Sequence, residues 1–353
     1  MNSSSRKMQF VQGKKFAGNE LPQFTWNADL IEFDGPFVSL FKSDRDDDAL
    51  FVWLDCDKYK NRWCIAQLAR GTLREYLNAT IALRDVIDRA GELYLYDVGS
   101  SGRRSNFVAV SSELLPSNYL PAPDSYLDLS FATEAAIKLA SEATELYEFK
   151  LDGDLYLEDV SAISKLITQL YSFHYGLNYS YRPAVREKLL EIMSKWHGGI
   201  NAVNIFSGLK SVIPSIHRPK INRLLYASPG YIELDALPEL TGHIEDSLRQ
   251  VLPASAFEKT EALYSAAYVY FRKEKLSGFD DHSSVRSSSL TTAQAAQLES
   301  FIQSFFDALN WQPLSAGFKS LDNSPLSRLR VVLAYYRRLR NLRDLMQRGK
   351  VKV

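Results

Sequence analysis

The sequence predicts an α+β protein in which a β-rich N-terminal domain, an antiparallel meander with short helices, precedes a mostly helical domain with a small sheet. Three observations predict this class. Short runs of aromatic and β-branched residues, separated by polar turns, fill the first third of the chain. Apolar residues at spacings of three and four, typical of amphipathic helices, dominate the rest. The length of 353 residues is enough for two domains of about 150 residues each.

The N-terminal domain is predicted over residues 23–124, after a basic, flexible arm over residues 1–22 that has no apolar periodicity. Polar segments between the apolar runs are typical of the turns of a meander. The predicted strands cover residues 31–41, 50–54, 62–68, 92–98 and 107–110, and short helices begin at Thr72 and near Leu83. Prolines between residues 115 and 123 stiffen the chain and place the predicted domain boundary near residue 124.

The second domain, residues 125–353, is predicted to end in a basic amphipathic helix at about 327–347. Thr291 and Gln294 form a capping-box pattern that begins another helix. Further helices are predicted over residues 160–171, 185–193, 239–250 and 258–272, with a strand over 146–151 and a hairpin around Ser228-Pro229-Gly230. The serine-rich stretch at 281–289 predicts a mobile loop, because such a composition buries little apolar surface.

The composition excludes several classes of protein. Two cysteines are too few for a disulfide scaffold, and no cysteine–histidine cluster has the spacing of a zinc site. The longest apolar run, Leu263 to Phe271, is about half of the roughly 20 residues that span a bilayer. Because the polar N-terminus also lacks the apolar stretch of a signal peptide, we expect a cytoplasmic protein without a transmembrane segment. The GxGxxG, P-loop and GxSxG motifs of common enzyme folds are absent from the sequence.

A series of short motifs lies in order between residues 28 and 127. They are DGP at 34–36, FVWLDCD at 51–57, RW at 62–63, LREYL at 73–77, LR at 83–84, YLYD at 94–97 and LPSNYLP at 115–121. Their order and spacing resemble a bacterial family of unknown function that is found in mobile and defence-type gene regions. The resemblance implies a bacterial, cytoplasmic component of such a system, and it implies no catalytic residue.

Positive charge is concentrated at the C-terminal end of a chain whose formal net charge is zero. Residues 328–352 hold nine basic residues and a single acid, Asp344. Arginines about one turn apart on a helix are suited to bidentate contacts with phosphates. The predicted residues for binding nucleic acid or another anionic partner are Arg330, Arg337, Arg338, Arg340, Arg343 and Arg348. The alternatives are a docked helix with a solvated or salt-bridged basic face, and contact with a protein or a membrane surface.

A second hypothesis is a metal-dependent nuclease of the PD-(D/E)xK type. Pro123-Asp124 followed by Glu148-Phe149-Lys150 matches the pattern in which two carboxylates hold Mg²⁺ or Mn²⁺ and a lysine assists the attacking water. The predicted catalytic residues of this alternative are Asp124, Glu148 and Lys150. The other interpretation is an ordinary strand edge, because Asp124 lies in the proline-rich connector.

Other residue groups have a functional and a structural interpretation. Asp55 and Asp57 share one face of a strand, where they would either bind a hard cation or serve as polar turn residues. Cys56 and Cys64, on neighbouring strands, are interpreted as small core residues rather than as a nucleophile. The aromatic residues Trp53, Trp63, Tyr94 and Tyr96 would either stack on nucleic-acid bases or belong to the core.

The favoured hypothesis is therefore a non-enzymatic accessory or binding subunit of a bacterial multi-component system, of the antiviral-defence kind that the resemblance implies. It would need no cofactor and would contact a further protein subunit or a nucleic acid through the basic C-terminal helix. The nuclease, with Mg²⁺ or Mn²⁺, remains the alternative.

Overall fold

The computed structural model describes residues 7–45, 47–69, 71–128, 130–195, 206–211, 213–226, 229–276, 290–319 and 324–352. The chain forms two compact units. Unit 1 comprises Met1–Ala143 with Ser211–Arg218, and unit 2 comprises Thr144–Lys210 with Pro219–Val353. The predicted α+β class is confirmed: a β-rich unit with short helices precedes a mostly helical unit with a small sheet.

Unit 1 is built on a seven-stranded antiparallel sheet in the order β1-β7-β6-β5-β4-β3-β2. Consecutive strands from β2 to β7 are neighbours, which is the meander that the alternation of apolar runs and turns predicts. The strands are β1 (Lys14–Lys15), β2 (Phe24–Phe33), β3 (Gly35–Ser43), β4 (Asp48–Cys56), β5 (Lys60–Leu68), β6 (Glu92–Gly99) and β7 (Arg104–Ser111).

The N-terminal segment is part of this sheet, where the sequence predicts a flexible arm. Lys14 pairs with Ala109 of β7, and Val11 is buried. A Cβ atom on Gly13 would lie 2.4 Å from the Ala109 carbonyl oxygen, so the close approach of the two backbones requires glycine. Strand β1 has only two residues, which are too few to show the alternation of apolar and polar side chains that predicts a strand.

One face of the sheet is covered by three short helices, α1 (Thr72–Leu77), α2 (Leu83–Arg89) and α3 (Glu134–Ser141). The core between them is mainly aliphatic, and Cys64 lies in it as the sequence predicts. The predicted core position of Cys56 is wrong, because this residue ends β4 and is exposed. Because α3 packs on β2, unit 1 continues to Ala143, whereas the prolines of the sequence suggested a boundary near residue 124. The core includes Leu30, Val38, Leu50, Val52, Leu73, Tyr76, Val86 and Leu95.

The opposite face of the sheet is aromatic. Phe41 and Phe51 stack with their ring centres 3.9 Å apart, and Tyr96 stacks on Phe107. From the N-terminal segment, Phe16 packs edge-on against Tyr94 at 5.5 Å. Such contacts stabilise a sheet face beyond the apolar area that they bury.

A short segment far along the chain, Ser211–Arg218, completes unit 1. The Ser215 backbone N–H donates to Asp48 Oδ2 at 3.0 Å, and the Ile216 side chain joins the aliphatic core. Asp48 also forms a salt bridge of 3.1 Å with Lys42, and both side chains are almost fully buried. Asp48 therefore neutralises a buried lysine and anchors the returning segment.

Unit 2 contains a four-stranded antiparallel sheet in the order β11-β8-β10-β9. Its strands are β8 (Glu145–Leu151), β9 (Lys220–Leu225), β10 (Gly230–Ala236) and β11 (Val351–Lys352). Its helices are α4 (Leu157–Asn178), α5 (Pro183–Lys195), α6 (Pro238–Val251), α7 (Ala254–Lys273), α8 (Thr292–Leu309), α9 (Ser315–Lys319) and α10 (Pro325–Gln347). The Thr291 hydroxyl accepts from the Gln294 backbone N–H, so the predicted capping box is present. The predicted loop at 281–289 and Ser228 of the predicted hairpin lie outside the described residues.

Helix α10 is the central helix of unit 2. It packs against α4, α6 and α8, and 16 of its 23 residues are buried. The helix predicted at about 327–347 is thus docked against its neighbours, which is an alternative that the sequence left open. Among the described residues, none of the helices combines the length and the apolar character that crossing a bilayer requires.

We expect the Asp48→Ala substitution to lower the free energy of unfolding by about 3–5 kcal/mol, because it removes one partner of a buried ion pair together with the acceptor for the Ser215 backbone N–H. Urea denaturation followed by circular dichroism measures this loss. Limited proteolysis should show new cleavage within residues 211–218. The control is Asp47→Ala at an exposed neighbour, with an expected change within about 0.5 kcal/mol. Equal losses for the two variants would contradict the anchoring role of Asp48.

Candidate functional site

The arginines of α10 fall into two groups. Arg328, Arg330 and Arg343 are buried in the core of unit 2, and Arg328 forms an ion pair with Glu299 of α8. The second group lines a groove on α10. Arg330 and Arg343 do not line that groove, so their predicted roles in partner binding stay predictions.

Arg343 stabilises the end of a neighbouring helix. Its Nε donates to the carbonyl oxygen of Val251 at 2.7 Å, and its guanidinium lies 3.7 Å from the centre of the Phe257 ring. Val251 is the last residue of α6, where backbone carbonyls lack intrahelical partners and positive charge is favourable. Arg343 is thus a structural cap of α6.

A groove of about 630 Å³ lies between α4 and α10. Five cationic side chains and one carboxylate line it, and two leucines form its apolar part. The lining residues on α4 are Ala162, Lys165, Leu166 and Gln169, which lie on one face at spacings of three and four. On and just after α10 they are Arg337, Arg338, Arg340, Asn341, Asp344, Leu345 and Arg348.

Arg338 is the most deeply placed cation of the groove, with 9% of its surface exposed. Its Nε donates to Gln169 Oε1 and its Nη1 to the Ala334 carbonyl oxygen, both at 2.9 Å. The Phe206 ring centre lies 3.8 Å from the guanidinium carbon. None of these groups carries a negative charge, and no carboxylate among the described residues pairs with Arg338.

The surroundings of Arg338 disfavour its charge. Burial, and secondly the positive charge of Arg337, lower the pKa of Arg338 to about 10. Arg338 is still protonated at neutral pH, so the groove holds a desolvated positive charge that neutral acceptors only partly compensate. An anion entering the groove would supply the missing compensation.

Two other arginines of the groove also contact α7. Arg340 Nη1 lies 3.3 Å from Glu261 Oε2, and its guanidinium lies over the Tyr264 ring. Arg337 Nη1 donates to the Tyr268 hydroxyl at 3.5 Å. These contacts hold the two guanidinium groups at the groove and offset part of their charge.

The rim of the groove carries two exposed cations, Lys165 on α4 and Arg348 after α10. Neither side chain forms a hydrogen bond or ion pair with the part of the chain that the structure describes. Asp344 is the single acid of the lining. The groove thus has a buried cation at its base and accessible cations on two helices, an arrangement suited to a ligand with several negative oxygens.

Sequence reasoning identified Arg337, Arg338, Arg340 and Arg348 but missed the contribution of α4. Helix α4 was predicted, and Lys165 lies on its polar side. The pairing of α4 with α10 is a long-range contact, and periodicity within either helix carries no signal for it. Gln169, the residue that orients Arg338, was missed for the same reason.

The predicted nuclease residues are distributed between the two units. Asp124 belongs to unit 1, in the turn after the proline-rich connector. Glu148 and Lys150 alternate along β8 of unit 2, where Glu148 pairs with Glu233 and Lys150 with Tyr231. Neither unit by itself brings the three residues together, and the nuclease stays a prediction.

The predicted cation ligands have other roles in the structure. Asp57 accepts backbone hydrogen bonds from Tyr59 and Lys60, which is typical of an aspartate that stabilises a turn. Asp55 is buried and accepts from the Tyr119 hydroxyl at 3.0 Å. In the described ranges, no group of three or more histidine, cysteine or acidic side chains is arranged to hold a metal ion.

Comparison of the chain with models of protein families, with curated proteins and with solved structures gives no match. The argument for function therefore depends on the geometry of the groove.

We expect substitutions of Arg343 and Arg338 by methionine to differ in their effect on stability. Arg343→Met removes the hydrogen bond to Val251, so the free energy of unfolding should fall by about 1–3 kcal/mol. Arg338→Met keeps an apolar contact with Phe206 and removes a buried charge that has no counter-ion. The free energy of unfolding should then stay unchanged or rise by up to about 2 kcal/mol. Chemical denaturation measures both, and a larger loss for Arg338→Met would contradict this interpretation of the groove.

Proposed function

We propose that this protein is a non-enzymatic binding subunit that holds a phosphate-bearing partner, a nucleic-acid strand, in the groove between α4 and α10. The observation that carries the proposal is Arg338, a buried guanidinium whose contacts are all neutral. Burying such a charge destabilises a protein unless an anion compensates for it. A cation retained in this position is explained by a ligand that supplies the negative charge.

The other groove residues support a phosphate as that anion. Lys165 and Arg348 approach from two different helices and, with Arg338, surround one volume of about 630 Å³. Volumes of this size are typical of ligand sites. Guanidinium groups bind phosphate oxygens in a bidentate manner, and lysine adds a point charge.

The setting of this function is proposed from the resemblance of residues 28–127 to a bacterial family from mobile and defence-type gene regions. In such a setting the protein would act with a further protein subunit, and the groove would connect that assembly to nucleic acid. Because lysine and arginine side chains of the groove would contact backbone phosphates, and phosphate contacts carry no sequence information, we expect binding with little dependence on base sequence.

We expect Lys165→Gln and Arg348→Gln each to weaken binding of a fluorescent single-stranded oligonucleotide about tenfold, because each substitution removes one charge-assisted phosphate contact. The slope of the logarithm of affinity against the logarithm of salt concentration should decrease by about one for each cation removed. Fluorescence anisotropy over a salt series measures both quantities.

Arg249→Gln is the matched control, because it removes an exposed arginine of α6 that does not line the groove. It changes the net charge equally and should leave the affinity within about twofold of the original. An equal loss of affinity in all three variants would show that binding depends on net charge alone, and it would contradict binding in the groove. An acidic peptide that displaces the oligonucleotide completely at equal concentration would overturn the assignment to nucleic acid.

A further inference from the structure

A cluster of aromatic side chains lies at the hairpin between β2 and β3 of unit 1. Trp53 of β4 and Trp63 of β5 are directly opposite each other in the strand register. The Phe37 ring lies 5.9 Å from that of Trp53. The Phe33 ring stands perpendicular to that of Phe37, at 88° and 6.0 Å. Rings from four strands thus form walls at different angles around one space.

This space is a cavity of about 390 Å³, within the usual range for small-molecule sites. We call it the aromatic cage. Its lining consists of four aromatic rings, two small turn residues, one amide and one carboxylate. The residues are Phe33, Asp34, Gly35, Pro36, Phe37, Trp53, Asn61 and Trp63.

The geometry of the cage is held by a hydrogen bond and a turn formed by its own lining residues. Trp53 Nε1 donates to Asn61 Oδ1 at 3.2 Å, which fixes the orientation of the indole ring. Asp34 is the single residue between β2 and β3. The following residue, Gly35, has φ of 131°, which only glycine adopts readily, so the tight turn holds Asp34 at the cage.

The cage rings are partly accessible to solvent. Phe37, Trp53 and Trp63 are half-buried, and Phe33 is 66% exposed. The edges and faces of several large apolar rings are therefore accessible to a ligand. Such an exposed apolar group is characteristic of a binding site.

We propose that the aromatic cage binds a small quaternary ammonium ligand. The negative faces of aromatic rings attract a cation without hydrogen bonds, and cages of this kind recognise choline and methylated ammonium groups. The carboxylate of Asp34 is the only charged group of the lining and has the complementary sign. This inference concerns unit 1 and is independent of the function proposed for the groove.

The lining disfavours two other ligand classes. A nucleobase would stack on the tryptophans, but the phosphate attached to it would meet Asp34 and find no cation in the lining. A sugar requires several hydrogen-bonding groups around its ring. The cage offers one carboxylate and one amide, and the oxygen of that amide already accepts from Trp53.

The test compares choline with its neutral isostere 3,3-dimethyl-1-butanol. Binding is followed by quenching of tryptophan fluorescence and by isothermal titration calorimetry on the full-length protein. We expect choline to bind about tenfold more tightly than the alcohol, because only the charged ligand gains the cation–π attraction. Asp34→Asn should weaken choline binding several-fold and leave binding of the alcohol unchanged, and Trp53→Leu should abolish choline binding.

Asp34 is exposed, so Asp34→Asn tests the proposal even if Trp53→Leu fails to fold. The matched control is Tyr59→Leu, which removes an exposed ring from the adjacent turn outside the cage and should leave choline affinity unchanged. Equal affinity for choline and the alcohol, undiminished choline binding by Asp34→Asn, or preference for AMP over choline would each overturn the proposal.

Discussion

The burial of a cationic helix at the centre of unit 2 is the constraint on which the arrangement of that unit depends. A guanidinium removed from water needs acceptors with suitable geometry, and α10 brings several into contact with its neighbours. Arg328 forms an ion pair with Glu299, and Arg343 caps α6 by donating a hydrogen bond to the Val251 carbonyl oxygen. Each of these contacts joins α10 to another helix. The position of α10 is therefore specified by polar bonds as well as by apolar packing.

Arg338 is also removed from water, but all of its acceptors are neutral. The candidate site depends on this difference. Its acceptors are an amide, a carbonyl and an aromatic ring, which satisfy hydrogen bonds but leave the charge uncompensated. A hydrophobic residue of similar shape would fill the position at lower cost in free energy. Function is the simplest reason to keep an arginine there, since a site for an anion needs a preorganised cation.

Unit 1 has its candidate site at one hairpin of a single sheet. Helices cover the aliphatic face, and the N-terminal segment packs against the aromatic face through Phe16. At the β2–β3 hairpin, rings from four strands remain partly exposed beside one carboxylate, Asp34. The groove of unit 2 and the cage of unit 1 thus favour ligands of opposite charge. One chain with two such sites would respond to two chemically different partners.

The sequence by itself determined the α+β class, the meander of unit 1 and the helices of unit 2, because strand and helix periodicities are local properties of a segment. It also located the basic residues, and four of the six predicted arginines line one groove. Only the tertiary structure decided that Arg330 and Arg343 are buried, that Lys165 joins the site, and that residues 211–218 complete unit 1. Periodicity shows that one side of a helix is apolar, but it does not show whether neighbouring elements cover the polar side as well. That coverage depends on contacts between residues far apart in the chain, which no local pattern contains.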